Sequence, residues 1–205
     1  MPGLAPSGSS GSPTTDVPVR RRRETSVTIV FETHSTTTDD ERWIASGWLD
    51  GRLSPAGRRQ AAELGERHAR QDLTAVFASD LGSAVETARI AFGRRGFPLF
   101  LDWRLRGCDY GELTGTPVAA LEVERAMHVY DPYPDGESYS QVAERVRSFL
   151  HDVAPRHAEE RIAVIGHAAT KWALDHLLEG TPLPELVAGS FRWKAGWLYR
   201  LAVDS

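Results

Sequence analysis

The sequence predicts an α/β fold, a three-layer α/β/α sandwich with a mostly parallel central sheet. Two observations carry this. Short β-branched runs alternate along the chain with helix-length amphipathic stretches, the pattern of parallel strands joined by crossover helices. The 205 residues are 41% hydrophobic and 25% charged, enough for a core that needs no disulfide or metal staple. The single cysteine, Cys108, rules out an intrachain disulfide and a Cys-rich zinc site.

Each element has its own signal. Residues 27–31 (VTIVF) are β-branched, short and bounded by polar residues, which predicts a buried strand. Residues 36–48 read as a loop with a short helical turn. Ser54-Pro55 opens a helix running to about Arg70, with Ser as N-cap and Pro in the first turn. Residues 73–78 are the second strand, 81–92 a helix, and 98–103 an extended segment leading to the third strand. A Gly-rich loop spans 104–117, a helix 118–129 and a Pro-rich loop 131–135. Val142, Val146, Phe149 and Leu150 place one apolar stripe on a long helix over 138–153. A fourth strand over 161–165 runs directly into a helix over 168–178. Trp197, Tyr199 and Leu201 alternate within 191–203, as in a half-buried last strand.

Charge divides the chain unevenly. Arg20 to Arg23 against Asp16 and Glu24 leave residues 1–26 at +2, so the rest carries −6 of the total −4. The expected organisation is a disordered, solvated basic tail over 1–26 and a single domain over 27–205. A twin-arginine export signal would need a longer apolar segment than the five residues 27–31. The acidic body argues against a nucleic-acid partner, and no apolar run approaches a membrane span. These readings make the expected location cytoplasmic and the expected partner a small molecule. No His or Asp cluster has metal-ligand spacing, so no metal and no cofactor are expected.

Parallel sheets bind ligands outside the carboxyl ends of their strands. After the first strand come Glu32-Thr33-His34-Ser35 and, after a threonine run, Asp40. After the second come Ser79-Asp80-Leu81-Gly82-Ser83. The third segment leads to Gly107-Cys108-Asp109, and the fourth strand to Gly166-His167-Ala168. Two histidines at the ends of two strands, each beside small residues, are the candidate reactive pair. His68, His128, His151, His157 and His176 lie within predicted helices and read as packing or surface residues. In an extended strand Glu32 shares a face with His34, and a carboxylate there would favour the protonated imidazole. The catalytic candidates are therefore His34, His167 and Glu32. The candidates for substrate contact are Thr33, Ser35, Asp40, Ser83, Gly107, Cys108, Asp109 and Ala168.

Over about residues 27–203 the sequence resembles the histidine phosphatase superfamily, the phosphoglycerate-mutase-like group. The resemblance rests on the strand ending at His34 with its threonines, Gly57-x-x-Gln60-Ala61, Ser79-Asp80-Leu81 with Thr87-Ala88, and Asp109-Tyr110-Gly111-Glu112. Gly136-Glu137-Ser138 with Arg145, and Val164-Ile165-Gly166-His167, complete it. It implies His34 as a phosphate-accepting nucleophile and His167 as the second histidine of the site. A homodimer is compatible with it.

The departures sit on the phosphate-handling positions. Thr33 and Ser83 stand where the family has arginines, and Gly107 where many members have the acidic Glu. Ser35 replaces a Gly, and Asp40 an Asn. Hydrogen bonds to charged groups are worth about 1.5–3 kcal/mol each. Losing two arginines therefore removes about 3–6 kcal/mol, and losing the acid about another hundredfold or more in rate. Arg42, Arg104 and Arg106 are candidate replacements for the cations, and Glu32, Asp109 and Glu112 for the acid. Three readings stay open: an enzyme repurposed for acid–base chemistry on a less anionic metabolite, a phosphomonoesterase with relocated groups, and an inactive binding module. The first expects an aromatic-lined pocket drawn from Trp43, Trp48, Trp103, Tyr110, Tyr133 and Tyr139, and the last a filled cleft.

Overall fold

A computed structural model describes residues 25–203; the expected basic tail falls almost wholly outside them. Five strands form the sheet, β1 (Ser26–Thr33), β2 (Ala75–Ala78), β3 (Leu99–Leu101), β4 (Arg161–Gly166) and β5 (Trp197–Ala202), in the order β3-β2-β4-β1-β5. The pairs β1–β4, β2–β4 and β2–β3 are parallel and β1–β5 is antiparallel, so the sheet is mostly parallel.

The strand alternation builds two cores. Ile29 and Phe31 face the side covered by α5 (Tyr139–Val153) and α6 (Ala168–Glu179), where Val142, Val146, Phe149 and Leu174 pack. Val30 and Ile165 face the other side, against Leu64, Ala84 and Ala88 of α2 (Pro55–Arg67) and α3 (Gly82–Phe92). That gives the three layers. The short helices α1 (Thr38–Glu41), α4 (Val118–Glu124) and α7 (Leu183–Ala188) lie between these elements in sequence.

Capping places several starts where the sequence put them. The Ser54 hydroxyl accepts from the Gly57 amide at 3.1 Å, and Ser138 forms a reciprocal box with Gln141. Gly57 is required by packing: a Cβ there would lie 1.9 Å from the Thr36 carbonyl oxygen, so α2 rests directly on the loop after His34.

Other boundaries differ from expectation. The helix expected over 118–129 tightens to a 3₁₀ turn at Arg125–His128. The last strand begins only at Trp197, after Gly196 turns the chain at φ +75°. Helix α7 lies where no element was expected; Pro182 and the proline of its first turn look like loop residues in isolation. Among the described residues no helix is long and apolar enough to cross a membrane, and no group of three or more His, Cys, Asp or Glu side chains could hold a metal ion.

Candidate active site

Sheet register brings the two histidines together. β1 and β4 are neighbours with Thr33 opposite Gly166, so the next residue of each strand is a histidine. The His34 amide donates to the Gly166 carbonyl at 2.9 Å, and the ring centroids are 4.8 Å apart with a tilt of 55°. His34 Nδ1 donates to the Ser35 carbonyl at 2.9 Å, because a carbonyl can only accept. That bond fixes the ring's orientation and keeps Nε2 as its unengaged nitrogen.

His167 is the N-cap residue of α6, its amide bonded to the Thr170 hydroxyl at 3.2 Å. Burial pushes its imidazole well below the ordinary histidine pKa of 6.5, and the nearby charges of His34 and Arg145 push the same way. It is therefore a neutral imidazole at neutral pH. Its Nε2 is buried and has no hydrogen-bond partner.

The pair opens onto a cavity of about 410 Å³. Of the expected aromatic residues Trp43, Tyr110 and Tyr139 line it, and Trp172 and Phe191 join them. Trp48 instead donates its indole N–H to the Gly107 carbonyl at 2.8 Å and lies beneath Arg106. Trp103 does not line the cavity and is 52% exposed, and Tyr133 packs behind the lining against Tyr110 and Tyr139.

Five expected contact residues line this cavity: Asp40, Ser83, Gly107, Cys108 and Ala168. Gly107 lies flat against His167, since a Cβ on it would be 3.3 Å from the His167 Cβ and Cγ. Cys108 is 1% exposed, and burial pushes its thiol pKa up, which removes it as a nucleophile at neutral pH. Thr33 and Ser35 line a second cavity that also borders His34; the Ser35 amide donates to the Thr87 hydroxyl at 3.0 Å. Asp40 Oδ2 accepts from the Thr37 amide at 2.7 Å as part of the α1 capping box.

Two expectations are corrected. Glu32 is 1% exposed and does share the strand with His34, but no hydrogen bond joins them. One of its oxygens meets His68 Nε2 at 2.7 Å and Arg67 at 3.3 Å, and the other accepts from the Gly196 amide at 3.1 Å. The carboxylate thus ties β1 to the end of α2 and to the turn before β5. His68, expected to be an ordinary helical residue, is its buried partner. Asp109 lines neither cavity at His34: its carboxylate accepts from the Gly111 amide at 3.0 Å, and a shallow groove with Trp48 and Glu112 borders it.

Two of the candidate replacement cations, Arg104 and Arg106, are committed elsewhere. Arg104 is forked onto Asp102 and reaches Asp152 at 2.8 Å. Arg106 forms a two-bond fork with Asp80 at 2.6 and 2.7 Å, which holds the Asp80 carboxyl below its usual range. Arg42 is exposed. Arg145 lies inside the apolar stripe of α5 and binds the carbonyls of Arg104, Arg106 and Gly107 and both oxygens of Glu137. It shapes the 104–107 loop, and its sequence signal is a charge at i+3 from Val142 on an otherwise apolar face.

A parallel α/β/α sandwich with paired histidines at the carboxyl ends of adjacent strands defines a class, and comparison with known proteins gives it a family. A family model described as histidine phosphatase superfamily (branch 1) matches residues 29–200. The chain belongs to the histidine phosphatase superfamily. It is 30% identical over 161 residues, 75% of this chain and 79% of the relative, to a Hydrogenobacter thermophilus protein provisionally named phosphoserine phosphatase 2. It is 32% identical over 144 residues, 66% of this chain and 67% of the relative, to an Enterobacter protein provisionally named phosphoglycerate mutase GpmB. Among solved structures, Bacillus stearothermophilus YhfR superposes with a TM-score of 0.74 at 28% identity, covering 82% of this chain and 88% of that one.

Proposed function

We propose that this chain uses its paired histidines for acid–base chemistry on a small molecule less anionic than a phosphomonoester. The observation that supports this is the contrast at the cleft: two imidazoles meet over an aromatic-lined cavity, while the Arg104 and Arg106 guanidiniums are forked onto Asp102 and Asp80. Arg125, which does line the cavity, donates to the Gly189 carbonyl at 3.0 Å and lies over the Trp172 ring. His167, neutral and with an unpartnered Nε2, acts as the base. His34, fixed by Ser35, faces the same substrate. The open cavity speaks against an inactive relic whose cleft has filled.

Phosphoryl transfer from a phosphomonoester is the second reading. It is favoured by the His34–Ser35 bond, which leaves Nε2 available as a nucleophile, and by the names of the relatives.

Hydrolysis of p-nitrophenyl acetate and p-nitrophenyl phosphate, which share a leaving group and differ in charge, separates the readings. The expected result is ester turnover that falls to background in His34→Ala and in His167→Asn, with no phosphate ester turnover above the His34→Ala level. Phosphate ester turnover that disappears in His34→Ala overturns the first reading and establishes the second. No histidine-dependent turnover of either ester overturns both.

A further inference from the structure

A short strap walls part of the cleft. Between α7 and β5 the chain runs from Gly189 to Gly196 without regular structure. Phe191 lines both cavities at His34, Ser190 lines the first and Trp193 the second. Residues 190–195 form no hydrogen bond with any described residue, and all of them but Phe191 are exposed. Phe191 packs inward, its ring centroid 6.4 Å from that of Trp172 and 6.0 Å from that of Trp197. A segment with so few buried contacts and no hydrogen bonds of its own opens at low free-energy cost.

Two charged side chains tether its ends. The Arg125 guanidinium donates to the Gly189 carbonyl at 3.0 Å, and the Gly196 amide donates to the Glu32 carboxylate at 3.1 Å. Both tethering residues line the cleft, Arg125 the first cavity and Glu32 the second. Gly196 lies at φ +75°, a conformation that suits glycine, and a Cβ there would lie 3.3 Å from Glu32 Oε1. The turn is therefore fitted closely to the carboxylate.

Glu32 is the more firmly built of the two tethers. It is 1% exposed, and its other oxygen is held by His68 at 2.7 Å and Arg67 at 3.3 Å, at the end of α2. A carboxylate so buried is tolerated only when its partners are in place. It stands two residues before His34 on β1, so the strap takes its position from the strand that presents that histidine. The acid–base reading gives this carboxylate no part in the chemistry, and the tether supplies one outside it.

We infer that Glu32 is a positioning residue: through the Gly196 amide it holds the 189–196 strap, with Phe191 and Trp193, as a lid beside His34 that opens about its two terminal glycines. The inference goes beyond the acid–base reading and rests on it only for the ester readout below.

Limited trypsin digestion of the full chain tests it, because the lid carries Arg192 and Lys194. Cleavage after these two residues is read by mass spectrometry against cleavage after Arg147, which lies within α5 and is cut only when that helix unfolds. Glu32→Leu removes the acceptor and is expected to speed lid cleavage about tenfold or more, with Arg147 cleavage unchanged. Glu32→Gln keeps an acceptor for the Gly196 amide and is expected to cut at the parental rate. Arg125→Leu frees the Gly189 end without touching β1. It is expected to speed cleavage at the same two sites, which keeps the lid testable where Glu32→Leu does not fold. In p-nitrophenyl acetate hydrolysis Glu32→Leu is expected to raise KM and leave kcat in place, since the histidines stay where they are. The inference is overturned if Arg147 cleavage rises in step with lid cleavage in Arg125→Leu or in folded Glu32→Leu. It is overturned equally if neither variant changes lid cleavage, or if Glu32→Gln behaves as Glu32→Leu does. A parent chain without histidine-dependent ester turnover would overturn the reaction assigned above and leave the cleavage pattern standing, so the two failures are distinguishable.

Discussion

The cleft and the loop behind it spend their polar groups in opposite ways. Behind the cleft Arg145 of α5 is 6% exposed and uses its donors on three carbonyls of the 104–107 loop and on Glu137. Arg104 and Arg106 next to it are equally committed, to Asp102 and Asp80. In the cleft a few residues away, His167 Nε2, the Tyr139 hydroxyl and Arg125 Nε are buried or lining atoms with no partner. A buried polar group left unpaired costs free energy, and native structures tolerate few of them. The difference teaches that the surviving arginines hold shape while the cleft keeps unspent capacity for a ligand.

Three experiments break or sharpen that contrast. The largest effect is expected from Arg145→Met, which leaves Glu137 and three carbonyls without their donor. Breaking a buried, hydrogen-bonded ion pair from one side costs about 3–5 kcal/mol, and urea denaturation should show a loss of that size. A loss below about 1 kcal/mol would mean that the loop does not depend on Arg145.

Next is the restoration of the missing groups by the triple substitution Thr33→Arg, Ser83→Arg, Gly107→Glu. The Gly107 site tolerates a Cβ only if the His167 ring yields by a few tenths of an ångström. Phosphate ester hydrolysis is expected to rise by about a hundredfold or more over the parent chain. An unchanged rate would show that charge at these positions is not what the cleft lacks.

The smallest effect concerns pH. His167 has a folded-state pKa below its unfolded value, so below pH 6.5 the unfolded chain takes up a proton that the folded chain refuses. Its contribution to stability is therefore present above the unfolded pKa and falls as the pH drops below it. Urea midpoints measured from pH 7.5 to 5 should decline, and His167→Asn should flatten the decline. Parallel curves for the two proteins would contradict the assignment of a neutral, buried His167.

Much of this was legible in the chain. Strand and helix periodicity identified the three layers, because a buried strand and an amphipathic helix impose different spacings on apolar residues. The two histidines were legible because each closes a buried strand whose end faces the ligand side of a parallel sheet. Glu32 shows where such reasoning stops. Alternation put it on the correct strand, but its carboxylate belongs to partners 35, 36 and 164 residues away. Trp172 and Phe191 likewise read as members of a helix and a strand, and only the packing of those segments turns them toward the cleft.

The sequence by itself determined the elements, the family resemblance and the absence of arginines at Thr33 and Ser83, since these follow from residue type and local spacing. Only the tertiary structure decided that Arg104, Arg106 and Arg145 are already paired, that Asp109 lies outside the cleft, and that two cavities border His34. Each of those depends on which distant groups meet, and a side chain's partners are chosen by the packed fold rather than by its neighbours in the chain.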